Sequence, residues 1–449
     1  MKKVFAVILA LVLCLSTGMV AMADDAAPVT LKLTYWGSPI EKEALLKSMD
    51  EFMRVNPDII VDAQHIPDEY ETKISTMIAG NIAPDVAYLS EGFALPLAEE
   101  GKLYNIQEFL DNDFELKKED FLPNIWYNYG EGKTLGTNTA CEAFALYYNK
   151  DMFDTAGVSL PPTTASTAWT WDEFLDAAQK LTIDYNGNNA QDENFDPNNI
   201  RQFGVQFGTW WAGYMWAVYS NGGTYASQDG MDLALNSPEA VEAIQMMADL
   251  INVYHVCPSP IQARALPSPT ISLQSQQVAM SIDGQWVLLD LGEAAKDGEF
   301  NFGVGVLPNL GKSVTVVLGA PTVIFASTQY PEQSWKLFKW MANPETSLDL
   351  QAGGLWMPLL TEWYTNEELL AKWALDNPAH PEGYVDAVAM QTLENGVPGP
   401  CYTLKNFSKI DSIVGSNLDR MWLGEISAQE ALDNAVEQAK PEMQGYYGQ

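Results

Sequence analysis

Basic residues are scarce in this chain of 449 residues: 24 lysines and arginines stand against 59 aspartates and glutamates, a formal charge of −35. So acidic a surface repels the phosphates of nucleic acid and of anionic lipid, and neither is expected as a partner. It also works against an anionic ligand at long range. Histidine is scarcer still. His65, His255 and His380 are the only three, and no Ser/His/Asp or Cys/His set is visible in their linear setting. With 59 acidic residues, carboxylate pairs of the glycosidase kind arise by chance, so no enzymatic activity is expected. Cysteine occurs four times, with no C-x-x-C pair or Cys/His cluster for zinc or redox chemistry. Beyond Cys14, the remaining Cys141, Cys257 and Cys401 are odd in number and cannot all close intramolecular disulfides. One bridge with one free thiol, or three buried thiols, both fit. The chain also lacks internal repeats, low-complexity tracts and, past its N-terminus, any apolar run long enough to span a bilayer.

The N-terminus sets the compartment. Lys2 and Lys3 precede an apolar run from Val4 to Leu15, and Ala21-Met22-Ala23 is a small-x-small cleavage pattern before Asp24. Residues 1–23 read as a secretory signal peptide rather than a membrane span. The mature protein is then periplasmic or extracellular, and more acidic by the two lost lysines. Lipid attachment at Cys14 calls for a small residue before it. Leu13 stands there, so ordinary cleavage is favoured over a lipoprotein anchor.

Hydrophobic residues make up 47% of the chain, enough for a sizeable core, and the length points to more than one domain or lobe. Leu31 to Tyr35 alternates like a strand. Ile40 to Val55 is amphipathic, Asn56-Pro57 ends it, and Ile59-Ile60-Val61 is the next strand. Glu69 to Ile78 has apolar residues at helical spacing, and Gly80 or Asn81 stops it. Pro84 bars continuation, and Val86 to Leu89 reads as a short buried strand. Strand, helix, strand, helix, strand is the start of a doubly wound α/β unit. Thr170 with Glu173 forms a capping box, and Pro238 sits at the first position of another helix. Phe302 to Val306 and Thr322 to Phe325 are strands; Pro331 to Met341 is a helix with an aromatic face.

Several segments together resemble a family. These are Leu31-Lys32-Leu33-Thr34-Tyr35-Trp36, Asn56-Pro57-Asp58-Ile59-Ile60-Val61, Ile78 to Leu89, Ala145-Leu146-Tyr147-Tyr148-Asn149-Lys150-Asp151-Met152-Phe153, Ala279 to Trp286, and Gly353-Gly354-Leu355-Trp356-Met357-Pro358. In order and spacing the chain resembles the family 1 extracellular solute-binding proteins of bacterial ABC importers, of the maltodextrin-binding kind. The resemblance implies an α/β fold of the type II periplasmic-binding-protein class: two doubly wound lobes, a hinge and a central ligand cleft. It implies residues 24–141 with 308–352 for the N-terminal lobe and 142–307 with 353–449 for the C-terminal lobe. The crossings are expected near Cys141 to Tyr148, Val304 to Pro308 and Ala352 to Pro358. It also implies a monomer that captures a carbohydrate by lobe closure and passes it to membrane permease subunits. The alternatives are a same-fold binder of a polyamine or peptide, and a secreted glycoside hydrolase.

Candidate site residues follow from chemistry. Sugar rings lay C–H faces on aromatic planes, and their hydroxyls need planar polar partners. Trp36, Trp210, Trp211, Trp286 and Trp356 stand beside Gly or Pro at loop positions, where exposing an indole without a purpose is costly. Trp335 and Trp340, by contrast, belong to the core face of their helix, and Trp126, Trp171 and Trp422 are read as core too. Ser90 and Glu91 follow the third strand, at the carboxyl end where α/β sheets bind ligands. Glu142 opens a run that resembles the family's hinge strand, where the matching glutamate contacts sugar; a carboxylate accepts two hydroxyls at once. Asp283 is a further candidate. No cofactor is required, but Asp184, Asn186, Asn188 and Asp192 place oxygens at positions 1, 3, 5 and 9 of a calcium-type loop. Asn189 and Phe195 depart from that pattern, at the glycine and glutamate positions.

Overall fold

A computed structural model describes residues 27–448, except 114, 124, 299 and 376. The expected signal peptide, with Cys14 and the cleavage point at Asp24, lies outside the described residues. The chain opens as its periodicity requires. Strand β1 (Val29–Tyr35), helix α1 (Pro39–Val55), β2 (Ile59–His65), α2 (Tyr70–Ala79) and β3 (Val86–Tyr88) follow in order. β1 pairs in parallel with β2 and β3, so β1 is central and fully buried at Leu31, Leu33 and Tyr35. Ser38 caps α1 by accepting from the Glu41 amide, with Pro39 in the first turn. Helix α3 (Glu91–Glu99) leaves the end of β3.

A hairpin of β4 (Trp126–Gly130) and β5 (Lys133–Thr137) leads into β6 (Glu142–Asn149), the spine of a second sheet. From Ala143 to Asn149 every residue of β6 is buried, a near-continuous apolar run with neighbours on both sides. Short β7 (Ile183–Asp184) and β8 (Ile200–Phe207) precede β9 (Val278–Gly284), β10 (Phe302–Gly305) and β11 (Thr315–Leu318). β9, β10 and β11 all run antiparallel to β6, while β8 lies parallel to β9. β12 (Thr322–Ile324) returns to the first sheet beside β3, and β13 (Gly396–Pro398) edges the second beside β11. The expected capping box at Thr170 and Glu173 is present, as is the Pro238 helix start.

The second crossing differs from expectation. β11 belongs to the second sheet and β12 to the first, so the chain changes sheets at residues 319–321, not at 304–308. The N-terminal lobe's returning segment therefore starts after Leu318 rather than at residue 308. The reason is long-range: Val317 and Leu318 pair with Ala143 and Glu142, a partner that local sequence does not reveal. The first and third crossings meet at a bridge between Cys141 and Met357, and the first and second at one between Asn138 and Pro321.

Asn138 fastens these crossings. It is 1% exposed, and its Oδ1 accepts from the Tyr127 hydroxyl at 2.9 Å and the Tyr402 hydroxyl at 3.0 Å. Its amide nitrogen reaches the Leu318 carbonyl at 3.4 Å. The two tyrosine rings stack at 4.7 Å, and the Tyr127 hydroxyl also meets the Gly319 carbonyl. Only glycine serves at 319, because a Cβ there would lie 2.1 Å from the Ala140 carbonyl oxygen. Cys141, Cys257 and Cys401 are three buried free thiols, which resolves the open cysteine question.

Asn138→Ala takes the acceptor from the buried Tyr402 hydroxyl, while the Tyr127 hydroxyl keeps the Gly319 carbonyl. At about 1–3 kcal/mol for a stranded polar group, we expect a loss of about 1–3 kcal/mol in chemical denaturation. A change under about 0.5 kcal/mol would show that the crossings are held elsewhere.

Candidate functional site

The carboxyl ends of β1, β3, β8 and β9 and the start of β6 converge where the two sheets face each other, the position at which α/β sheets bind ligands. A cavity of about 510 Å³ lies there. From the first sheet come Trp36, Ser38 and Glu41, which follow β1, and Ser90 and Glu91, which follow β3. From the second come Glu142 at the head of β6, Trp210 after β8, and Asp283 with Trp286 at the end of β9. Leu318, Ala320 and Leu355 close it from the crossings. A second space of about 610 Å³ adjoins it, sharing Trp210, Asp283 and Trp286 and adding Thr209, Arg264 and Asp419.

Aromatic neighbours hold the indoles in place. Trp36 meets Tyr70 at 5.0 Å and Tyr88 at 5.6 Å, both edge to face. Trp286 stands perpendicular to Phe144 at 5.6 Å, and Trp210 lies 6.4 Å from Trp286. Trp210 is 42% exposed, a large apolar area open toward the cavity.

Two expected site tryptophans are corrected. Trp211 is 7% exposed, because it begins helix α4 (Trp211–Ser220) and turns inward against Phe407 at 5.7 Å. Trp356 is 3% exposed and packs in the core, 6.4 Å from Tyr88. Adjacency to glycine placed both in loops but could not give the direction of the side chain. The structure brings the other seven candidates, Trp36, Ser90, Glu91, Glu142, Trp210, Asp283 and Trp286, to one cavity.

Sequence reasoning missed Glu41 and Asp290. Each sits in the first turn of a helix, α1 and α5 (Val287–Ala295), where an acid ordinarily reads as a partner of the helix dipole. Ser38 caps the helix by accepting from the Glu41 amide, and the Glu41 carboxylate folds back over Gly37 toward the Ser38 backbone. A Cβ on residue 37 would lie 1.9 Å from that carboxylate, and φ there is +120°. A glycine two residues after a strand, with an acid one turn beyond, was the available signal.

Burial dominates the electrostatics. It pushes the Glu41 carboxyl up to about 7, opposed by the Ser38 hydrogen bond and assisted by Asp290. It pushes Asp283 up to about 7 as well, against hydrogen bonds from the Gly284 amide (2.8 Å) and the Trp286 indole. Glu142 is raised well above the ordinary range by burial and then by the charges of Glu41 and Glu91. Glu91 is raised by burial, partly offset by hydrogen bonds that include Gly319 and Cys401. Ser90 donates to Glu71.

The acidic loop does not fit calcium. Asp184 is buried, and its carboxylate accepts from the amides of Asn186 (2.8 Å), Asn188 (2.9 Å) and Asp196 (3.0 Å), and from the Asn188 side chain (3.2 Å). Those bonds outweigh desolvation and hold its carboxyl down at about 2. A cation would face N–H donors at this position. Asn188 also spends its side chain on Asn194, and Asp192 accepts from the Asn194 amide. No group of three or more His, Cys, Asp or Glu suited to a metal occurs among the described residues.

Two sheets joined by crossings, with a cavity between their strand ends, define a two-lobed protein built to enclose a solute. The chain belongs to the bacterial extracellular solute-binding protein family, whose model matches residues 36–347. The chain is 26% identical over 458 residues to the sn-glycerol-3-phosphate-binding periplasmic protein of Salmonella paratyphi A, covering 93% of each. It is 24% identical to a putative binding protein of Brucella abortus over 297 residues, covering 65% of this chain and 66% of the relative. It thus spans about two thirds of the length of that relative. Among solved structures, an ABC substrate-binding protein of Listeria monocytogenes in complex with cycloalternan superposes with a TM-score of 0.79 at 24% identity, over 93% of this chain and 99% of that one. A solute-binding protein of Thermotoga lettingae bound with α-D-tagatose gives 0.74 at 25% identity, over 92% and 100%. These likenesses confirm the type II periplasmic-binding-protein fold. No helix of the described residues is long and apolar enough to cross a membrane.

The raised carboxyls set a pH dependence. Glu41 and Asp283 at about 7, and Asp411 at about 6, titrate above the roughly 4 of unfolded carboxyls. Between those values the folded protein binds more protons than the unfolded chain. The stabilisation is full below about pH 4 and is lost as pH rises through about 7. The ligand-free protein should therefore melt at a lower temperature at pH 8 than at pH 5. Replacing Glu41 by Gln and Asp283 by Asn should flatten the profile. A melting temperature that climbs between pH 5 and pH 8 would contradict these assignments.

Proposed function

We propose that this protein is the solute-capturing subunit of a bacterial ABC importer, that its ligand is a carbohydrate, and that it has no catalytic role. The observation that carries the reading is the cavity wall: indoles from both sheets flank a space of about 510 Å³ whose polar groups are carboxylates and hydroxyls. Aromatic faces take the C–H patches of a sugar ring, and carboxylates take its hydroxyls pairwise. Lobe closure about the crossings buries the sugar, and the closed form is what a permease recognises. Export under the signal peptide over residues 1–23 puts the protein where it meets such solutes. It acts as a monomer.

Glycerol phosphate is a poorer candidate despite the relative's name. A phosphate wants arginines, lysines or helix amides. Among the described residues, no Lys, Arg or His lines the 510 Å³ cavity, and Arg264 is the one that lines the adjoining space. A polyamine is the second reading that a specific observation favours, the carboxylates themselves.

Thermal shift against neutral oligosaccharides, spermidine and glycerol 3-phosphate separates these readings, since binding only the folded form raises its melting temperature. A rise with glycerol 3-phosphate alone would overturn the carbohydrate reading. Trp210→Ala removes an indole that is already largely exposed, so ligand-free stability should change little. It should weaken sugar binding by about 1–3 kcal/mol, or roughly tenfold per 1.4 kcal/mol, in calorimetry. Glu142→Gln keeps the shape and gives up the charged acceptor, and should weaken binding as well.

A further inference from the structure

We propose that the ligand carries a primary ammonium group, as an amino-sugar oligomer does, and that Glu41, Glu142 and Asp283 hold that group. This rests on the carbohydrate reading above and specifies the chemistry of the sugar.

The first observation is uncompensated charge. Five carboxyl groups line the 510 Å³ cavity: Glu41, Glu91, Glu142, Asp283 and Asp290. Among the described residues, no cationic side chain shares that wall. Among the described residues, none of these five takes part in an ion pair; every lysine and arginine pairing lies elsewhere. The adjoining space contributes one of each sign, Arg264 and Asp419, and so offsets nothing. Carboxylates withdrawn from water without a counter-charge are costly, and close like charges add to the cost.

The second observation is an orphaned hydroxyl beneath the same cluster. Tyr88 ends β3, is 2% exposed, and its hydroxyl has no hydrogen-bond partner. The groups that act on it include Glu41 and Glu142. Behind Trp36 on the cavity wall, an unused polar group thus lies within the field of acids that lack a counter-charge.

A neutral sugar hydroxyl gives such a carboxyl group one ordinary hydrogen bond and leaves it protonated near neutral pH. An ammonium supplies three donors and favours the ionised form, and its bonds to carboxylates are about twice as strong. The indole faces add cation–π attraction. Trp36, Trp210 and Trp286 also favour a ring with C–H faces over a flexible polyamine chain. The protein's overall negative charge draws cations toward the cleft.

Binding should then move protons. Glu41 faces Asp290, Tyr35, Tyr88 and Glu142, and Asp283 faces the Trp286 indole, the Gly284 amide and Tyr147. Both carboxyls sit near 7 without ligand, so an arriving ammonium lowers them and expels protons at neutral pH.

The experiment is calorimetry of the whole mature protein with four probes: a β-1,4-linked glucosamine trimer, its N-acetylated form, the corresponding glucose trimer, and spermidine. At pH 6.5 and low salt the glucosamine trimer should bind about tenfold tighter than the glucose trimer. Its advantage should shrink in 0.5 M salt on the order expected from screening. At pH 7 its heat should vary with the buffer's ionisation enthalpy in the sense of proton release. Glu142→Gln and Asp283→Asn should cut the glucosamine-to-glucose ratio to about threefold or less. Glucose or N-acetylated trimers binding as tightly as glucosamine would overturn the ammonium and leave the carbohydrate reading standing. Spermidine outcompeting every sugar would keep the ammonium and overturn the carbohydrate. Silence from all four would overturn both. The wild-type comparison decides the matter even where a variant fails to fold.

Discussion

The buried Asn138 amide is the point on which the two-lobed arrangement depends. One side chain accepts hydrogen bonds from the Tyr127 and Tyr402 hydroxyls and donates one to the Leu318 carbonyl. It thereby joins the first crossing, the second crossing and a segment from near the end of the chain. A low-dielectric, water-free setting strengthens such a network and makes each missing member expensive. The neighbouring Gly319 lets the crossings approach more closely than any side chain allows. Because the crossings are pinned there, the ends of β1, β3, β8 and β9 face one another across a single cavity.

That cavity asks the protein to keep acids out of water. Glu41, Glu91, Glu142 and Asp283 are all raised, first by burial. A folded protein tolerates such groups when a ligand will satisfy them, and they are where function and stability oppose each other. The contrast with Asp184 is instructive. That carboxylate is also buried, but three main-chain amides already satisfy it, and its carboxyl is held low. The same residue type is a fixed turn element in one place and a cavity-lining acid in another. The difference lies in its donors.

Much of the first lobe was legible in the sequence, because its signals are local. Alternation, Asn56-Pro57 and Pro84 delimit elements by short-range sterics and hydrogen bonds. The second crossing was not, because whether β11 joins one sheet or the other is decided by pairing with β6, a strand some 170 residues earlier. Seven of nine candidate side chains reached the cavity because strand ends are visible from local pattern. Trp211 and Trp356 did not, since a neighbouring glycine says nothing of which way an indole turns. Glu41 and Asp290 escaped notice because an acid in a first helical turn has an ordinary local explanation.

The most direct measurement of the central claim is a crystal structure of the protein with the oligosaccharide that most raises its melting temperature. The account predicts the sugar between the lobes, with ring faces on Trp36, Trp210 or Trp286 and polar groups on Glu142 and Asp283. A sugar bound elsewhere, or one that leaves these indoles and carboxylates untouched, would contradict it.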